Sequence, residues 1–344
     1  MNRQVVVITG ASAGVGRATA RAFGARGAAV GLIARGTDGL EGARREIEAR
    51  GGTALVLPTD VANADQVEAA AARVEAELGP IDVWVNNAMT SVFSPVAEMR
   101  ADEYKRVTEV TYLGVVYGTL AALKCMRSRD RGTIVQVGSA LAYRSIPLQS
   151  AYCAAKHAIL GFTDSLRCEL IHDDSHVNVT MVQMPGLNTT QFGWVKSRLT
   201  HKAQPVPPIF QPEIAAEAIC WAADHHPREL YVGGSTVEAI VGNKFVPALL
   251  DHYLARTAYA GQQTSELEDP DRPDNLWEPV PGDHGAHGSF DRRATDRSPE
   301  LWAATHVTTI TLAALGALGL AYAAFRGAGR HESSPGHTRP PLAA

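Results

Sequence analysis

Through residues 1–258, short runs that are apolar at almost every position alternate with longer amphipathic segments, and this alternation limits the fold more than any other feature. VVVIT (5–9), AVGLIA (29–34), ALVLP (54–58), DVWVN (82–86), TIVQVG (133–138), VNVTMVQM (177–184) and ELYV (229–232) have the length of strands. Strands without polar alternation are buried on both faces, as in a parallel sheet. Segments 39–50, 64–78, 102–129 and 150–172 carry helical periodicity between them. The expected fold class is α/β, a doubly wound parallel sheet of about seven strands forming one domain over 1–258. No repeat of fixed period supports a solenoid.

From about residue 261 the character changes. GQQTSELEDPDRPDNLWEPVPGDHGAHGSFDRRATDRSPE is rich in Pro, Gly and charge and poor in aliphatics, so residues 259–306 read as a mobile, disordered linker. VTTITLAALGALGLAYAAF (307–325) then runs for 19 positions without a charge. Roughly 17–25 such residues cross a bilayer, so a transmembrane helix is expected, followed by a polar tail over 326–344. Ala313, Ala317 and Ala321 form a small-residue stripe on it that could support a homodimer contact. Arginines flank the span on both sides and do not orient it. The N-terminal MNRQVVVITG has only a short apolar run ending in glycine, unlike a signal sequence. The expectation is a membrane-anchored protein whose catalytic domain stays cytoplasmic.

Net charge is −4 and the basic residues are scattered, so no nucleic-acid partner is expected. Cys125, Cys153, Cys168 and Cys220 lack metal-ligand spacing, and no metal site or disulfide framework is expected from them.

TGASAGVG (9–16) follows the first strand and opens a helix. Gly10 permits a tight turn, while Gly14 and Gly16 let backbone N–H groups approach a pyrophosphate at a helix N-terminus. The second strand ends in Ala34–Arg35, with no carboxylate there for a ribose 2′-hydroxyl. Arg35 could instead pair with a 2′-phosphate, which favours NADP (NADPH) and leaves NAD as the alternative.

Farther on, AYCAAKHA (151–158) places Tyr152 and Lys156 four apart, on one helix face. Taken with TGASAGVG, Asp60–Val61, NNAM (86–89), Ser139 and PGLNTT (185–190), the ordered set resembles the short-chain dehydrogenase/reductase family in its compact single-domain form. The resemblance covers about residues 1–258 and implies a Rossmann-type fold. It implies that Ser12 and the three glycines hold the pyrophosphate and that Asp60 with Val61 contacts the adenine. Asn86 would line the cofactor, and Pro185, Gly186 and Thr190 would meet its nicotinamide end. Tyr152 would be the acid/base and Ser139 would hydrogen-bond the reacting oxygen. Lys156 would lower the tyrosine pKa and bind the nicotinamide ribose. Two positions depart from the family pattern. Met89 stands where glycine is usual, and Thr111 stands where asparagine usually ends a proton relay.

The proposed chemistry has a physical rationale. A tyrosine titrates near 10, and two unit charges about 4 Å apart interact by roughly 4 kcal/mol at an effective dielectric of about 20. Lys156 could then lower the phenol by about three units, toward neutrality. The segment after Pro185 corresponds to the family's substrate lid and carries Phe192, Trp194 and Phe210, with Pro205, Pro207 and Pro208. Its apolar character suggests a hydrophobic carbonyl or alcohol as the small-molecule substrate. A non-catalytic nucleotide-binding membrane scaffold is the alternative reading.

Overall fold

Each of the seven apolar runs becomes a strand of one sheet in the computed structural model, which describes residues 3–307 together with 311, 315 and 318. The strands are β1 (Val5–Thr9), β2 (Ala29–Ala34), β3 (Thr53–Pro58), β4 (Val83–Asn86), β5 (Gly132–Val137), β6 (Val177–Gln183) and β7 (Glu229–Tyr231). Their order is β7-β6-β5-β4-β1-β2-β3 and every pairing is parallel. Side chains alternate across the sheet, so neighbouring residues of one strand serve opposite cores. Val6 and Ile8 pack with Phe23, Leu40, Ile47 and Ile219 from helices α1 (Gly14–Ala25), α2 (Thr37–Glu48) and, after the lid, Pro212–His225. Val5 and Val7 pack with Val74, Met126 and Leu166 from the other face. That face is built by α3 (Ala64–Glu77), the helix Gly114–Met126 and the long helix Ser150–His172. With both faces covered, almost no polar residue is tolerated inside the strands, which is why the runs were so nearly continuous.

The order reverses between β1 and β4, and the crevice beyond the carboxyl ends of the strands opens at this switch point. Residues 102–129, expected as one helix, are two: α4 (Ala101–Val107) and α5 (Gly114–Met126) joined by a π turn at Thr108–Leu113. Such turns relieve a one-residue mismatch in a helix and often sit near functional sites. Helices α6 (Ser150–His172), α7 (Pro212–His225), α8 (Gly234–Phe245) and α9 (Pro247–Gly261) follow.

The segment expected as a free linker is laid against the domain instead. One compact unit runs from Met1 to Leu301, well past residue 258. Gln263–Leu267 pairs antiparallel with His201–Ala203, and Ala294–Thr295 pairs parallel with Ile209–Phe210. Leu276, Ala286 and Phe290 are buried. A low aliphatic content argued for disorder, but this segment is held mainly by its backbone carbonyls and by ion pairs, which composition does not register. The second unit is Trp302–Ala344, in which the rings of Trp302 and His306 stack at 4.9 Å. No helix among the described residues is long and apolar enough to cross a membrane. The expected span 307–325 lies largely outside the described residues, as do Ala313, Ala317 and Ala321 and the polar tail.

Candidate active site

The turn between β1 and α1 is shaped by glycine where glycine is required. Gly10 has φ +68°, and a Cβ on Gly16 would lie 2.2 Å from the Gly10 carbonyl oxygen. Asn87 Nδ2 donates to Thr9 O at 2.9 Å, stitching the end of β4 to this turn. Gly10, Ser12 and Gly14 border a cavity of about 570 Å³ at the switch point. Gly16 does not line it. Its part is to let the turn and Asn87 close together.

Arg35, Asp60 and Val61 border the same cavity, at the end expected for adenosine. Asp60 pairs with Arg106 at 2.7 Å, and Arg35 gives hydrogen bonds to the carbonyls of Asn275 and Trp277. Burial pulls the Arg35 pKa below its ordinary value, and the nearby Arg106 guanidinium adds to the effect. A site in which cations are held close against desolvation is one that gains from an added phosphate. The positive-φ turn, the missing Cβ at Gly16 and Arg35 at the cavity's edge fit a dinucleotide.

At the other end, Pro185, Gly186 and Thr190 line the cavity. A Cβ on Gly14 would be 3.3 Å from the Thr189 side chain, so this segment closes directly over the glycine turn. Ser139 follows β5, and its N–H donates to Gln183 Oε1 at 2.8 Å. Tyr152 and Lys156, from the first turns of α6, face the same cavity as Ser139, whose side-chain oxygen accepts the Leu141 N–H at 3.1 Å. Met89 is part of the wall.

Three expectations need correction. Asn86 is buried and does not line the cavity. Its Oδ1 accepts from Trp84 Nε1 at 2.8 Å and its Nδ2 donates to Thr119 and Gln136, so it belongs to a polar network inside the sheet. Its neighbour Asn87, past the strand end, turns into the cavity. Thr111 is fully buried, and its hydroxyl both donates to Thr90 O and accepts from Thr90 N–H. Its hydroxyl fastens the π turn to the 88–91 loop and Thr111 does not border the cavity, so its side chain has no part in a relay there. A relay water held by its main chain is a separate expectation that these bonds do not touch. The third correction concerns proton affinity. Burial pushes the Tyr152 phenol well above its usual value, only partly offset by the nearby Ser139 side chain. Lys156 Nζ donates to Val137 O at 2.6 Å and sits 5.5 Å from the centre of the Tyr152 ring.

Burial lowers Lys156 itself to about 8. Its folded pKa is below the unfolded value near 10.5, so between about pH 8 and 10.5 the unfolded chain binds the extra proton. Stability should therefore rise with pH through that window, by up to about 3 kcal/mol for this group. Denaturant midpoints at pH 7.5 and 10 test this, and Lys156→Met should remove the gain. An equal gain in the variant would refute it.

Phe192 and Trp194 of the lid border the cavity, whereas Phe210 sits in the core against Gly233. Leu250, Tyr253 and Leu254 of α9 complete an apolar end that sequence reasoning missed, because α9 shows no spacing tied to the site. Gln183 was missed too, though a glutamine ending an apolar strand was a usable signal.

A sequence profile described as short chain dehydrogenase matches residues 4–198. An uncharacterized oxidoreductase of Bacillus subtilis, YxnA, is 32% identical over 283 residues, covering 82% of this chain and 80% of its own. Mouse dehydrogenase/reductase SDR family member 7B is 37% identical over 190 residues, 54% of this chain and 58% of its own. Among solved structures, a metagenomic short-chain oxidoreductase in complex with NADP superposes with a TM-score of 0.56 at 30% identity, over 67% of this chain and 96% of that one. A short-chain dehydrogenase from Streptomyces avermitilis gives 0.62 at 28%, over 75% and 98%.

Proposed function

This chain belongs to the short-chain dehydrogenase family, and from that premise we propose that it is an NADP-dependent oxidoreductase that reduces a hydrophobic carbonyl compound to its alcohol. The family supports an oxidoreductase acting on CH–OH or C=O groups with a nicotinamide cofactor. The observation that carries the finer reading is the placement of Ser139, Tyr152 and Lys156 on one cavity whose far end holds Arg35.

When bound, the nicotinamide exchanges a hydride with the substrate carbon. The chain's own residues manage the oxygen. Ser139, with its backbone fixed by Gln183, offers a hydrogen bond where negative charge develops on the carbonyl oxygen. Tyr152 is held as the neutral phenol by burial, so it is poised to donate a proton to that oxygen. Lys156, anchored on Val137 O, stands beside the tyrosine ring where a ribose hydroxyl could be gripped. The apolar end formed by Phe192, Trp194 and Leu254 suits a lipophilic substrate.

Arg35 supports NADP because hydrogen bonds to a charged group are worth about 1.5–3 kcal/mol, or roughly tenfold to a hundredfold in affinity. Titration should show NADPH binding at least about tenfold tighter than NADH, with Arg35→Ala removing most of the difference. Equal affinity of the parent chain for both would refute the NADP assignment. A carbonyl panel with NADPH then tests the reaction: preference for small charged carbonyls would refute the lipophilic substrate. Saturable binding without turnover on any carbonyl would make the protein a nucleotide-binding scaffold.

A further inference from the structure

Residues 274–291 cross the mouth of the cleft from one end to the other. At the adenosine end, Arg35 donates to the carbonyls of Asn275 and Trp277, both at 2.5 Å, and Arg106 Nε donates to Leu276 O at 3.1 Å. Midway, the Gly14 N–H of the glycine turn donates to Gly285 O at 3.1 Å. Arg17, buried to 1% exposure, pairs with Asp283 at 3.1 Å. At the nicotinamide end, Asn188 Nδ2 donates to Asp291 at 2.8 Å while its Oδ1 accepts the Phe290 N–H at 3.0 Å. Pro279, Val280, Gly282 and His284 face the cavity, and the His284 ring meets Trp194 of the lid edge-on at 4.7 Å.

Resting on the dinucleotide reading above, we propose that this strap is a structural wall of the cofactor site and that the dinucleotide enters and leaves only when the strap lifts. The strap borders the 570 Å³ cavity and does not fill it, which distinguishes a wall from a plug. It also positions Arg35: two main-chain carbonyls fix the plane of the guanidinium, and its remaining N–H donors are left for a 2′-phosphate. The strap is fastened to the glycine turn itself through Gly14, so it cannot rise without releasing that amide. Its attachments combine these polar ties with three buried side chains, Leu276, Ala286 and Phe290, and a surface segment without helix or strand opens at lower cost than core elements.

The test is a reversible staple. A Cβ on Gly36 would lie 3.3 Å from Pro279 Cβ, close to the separation in a disulfide, and the Gly36 backbone (φ −80°, ψ 123°) accepts a side chain. In the full chain carrying Gly36→Cys and Pro279→Cys, stopped-flow fluorescence of NADPH should show entry and exit at least about tenfold slower when oxidised than after reduction. Identical rates in the two states overturn the proposal. A second variant moves the rate the other way. Gly42→Ala puts a Cβ 2.0 Å from Asp283 Oδ2 at a position where alanine suits helix α2. NADPH release should then speed up at least threefold. Unchanged release, with amides of 275–285 exchanging faster with solvent, would overturn the proposal. If neither NADPH nor NADH binds the parent chain, the dinucleotide reading fails and the proposal falls with it. If NADPH binds but exchanges alike in stapled and reduced protein, the strap proposal alone fails.

Discussion

Replacing Tyr152 with phenylalanine is expected to lower turnover by about a thousandfold and leave NADPH affinity within about threefold of the parent chain. The ring is retained, so the surface beside Lys156 Nζ is preserved and the lysine keeps its bond to Val137 O. What disappears is the phenol hydroxyl, which shares the cavity wall with Ser139. The loss should fall on kcat, because the proton is needed only as charge builds on the substrate oxygen. Steady-state kinetics with NADPH and the best carbonyl, paired with a fluorescence titration, separate the two effects. A variant keeping more than about a tenth of its turnover would remove Tyr152 from the chemistry.

Gly16→Ala should be the most damaging change in the cofactor half. Its Cβ would meet Gly10 O at 2.2 Å and Asn87 Nδ2 at 2.6 Å. Neither neighbour can yield cheaply. Gly10 is held at positive φ in the turn, and the Asn87 amide is spent on Thr9 O. The expected result is a stability loss of about 1–3 kcal/mol and a fall of about a hundredfold or more in NADPH affinity. Helix propensity alone predicts the opposite sign, since alanine is better than glycine inside a helix by about 1 kcal/mol. Denaturation and titration of the same sample therefore decide between the two. Parent-like affinity would mean that the turn relaxes freely.

The sheet was legible in the sequence because burial on both faces writes itself into consecutive residues. The site was legible where a single residue type is demanded by geometry, as at Gly10 or the Tyr152–Lys156 pair. It was less so where a strand boundary decides direction. Asn86 and Asn87 differ only in that one ends β4 and the other leaves it, and this one step sends their amides to opposite sides. Thr111 was expected at the relay, through either its main chain or its side chain, because of its place in the family pattern, and only the side-chain route is closed. The π turn and the Thr90 backbone, which fix its hydroxyl elsewhere, have no signature in the local sequence. The Tyr152 pKa was misjudged because a charge-pair estimate leaves out the cost of burying the phenolate, which is the largest influence here. Residues 262–298 were misjudged because composition counts side chains, while much of that segment's attachment runs through main-chain oxygens.

Arg17 and Asp283 are 266 residues apart in the chain, and their contact belongs to the last wall of the cleft. A protein made from its N-terminus completes the seven-stranded sheet before that wall exists. Ribosomal synthesis therefore passes through an interval in which every strand of the sheet has been made and the strap has not. If the sheet folds in that interval, cofactor captured by it would on the strap proposal be enclosed once residues 274–291 emerge. A fragment that stops after α9 would imitate the interval rather than the finished protein.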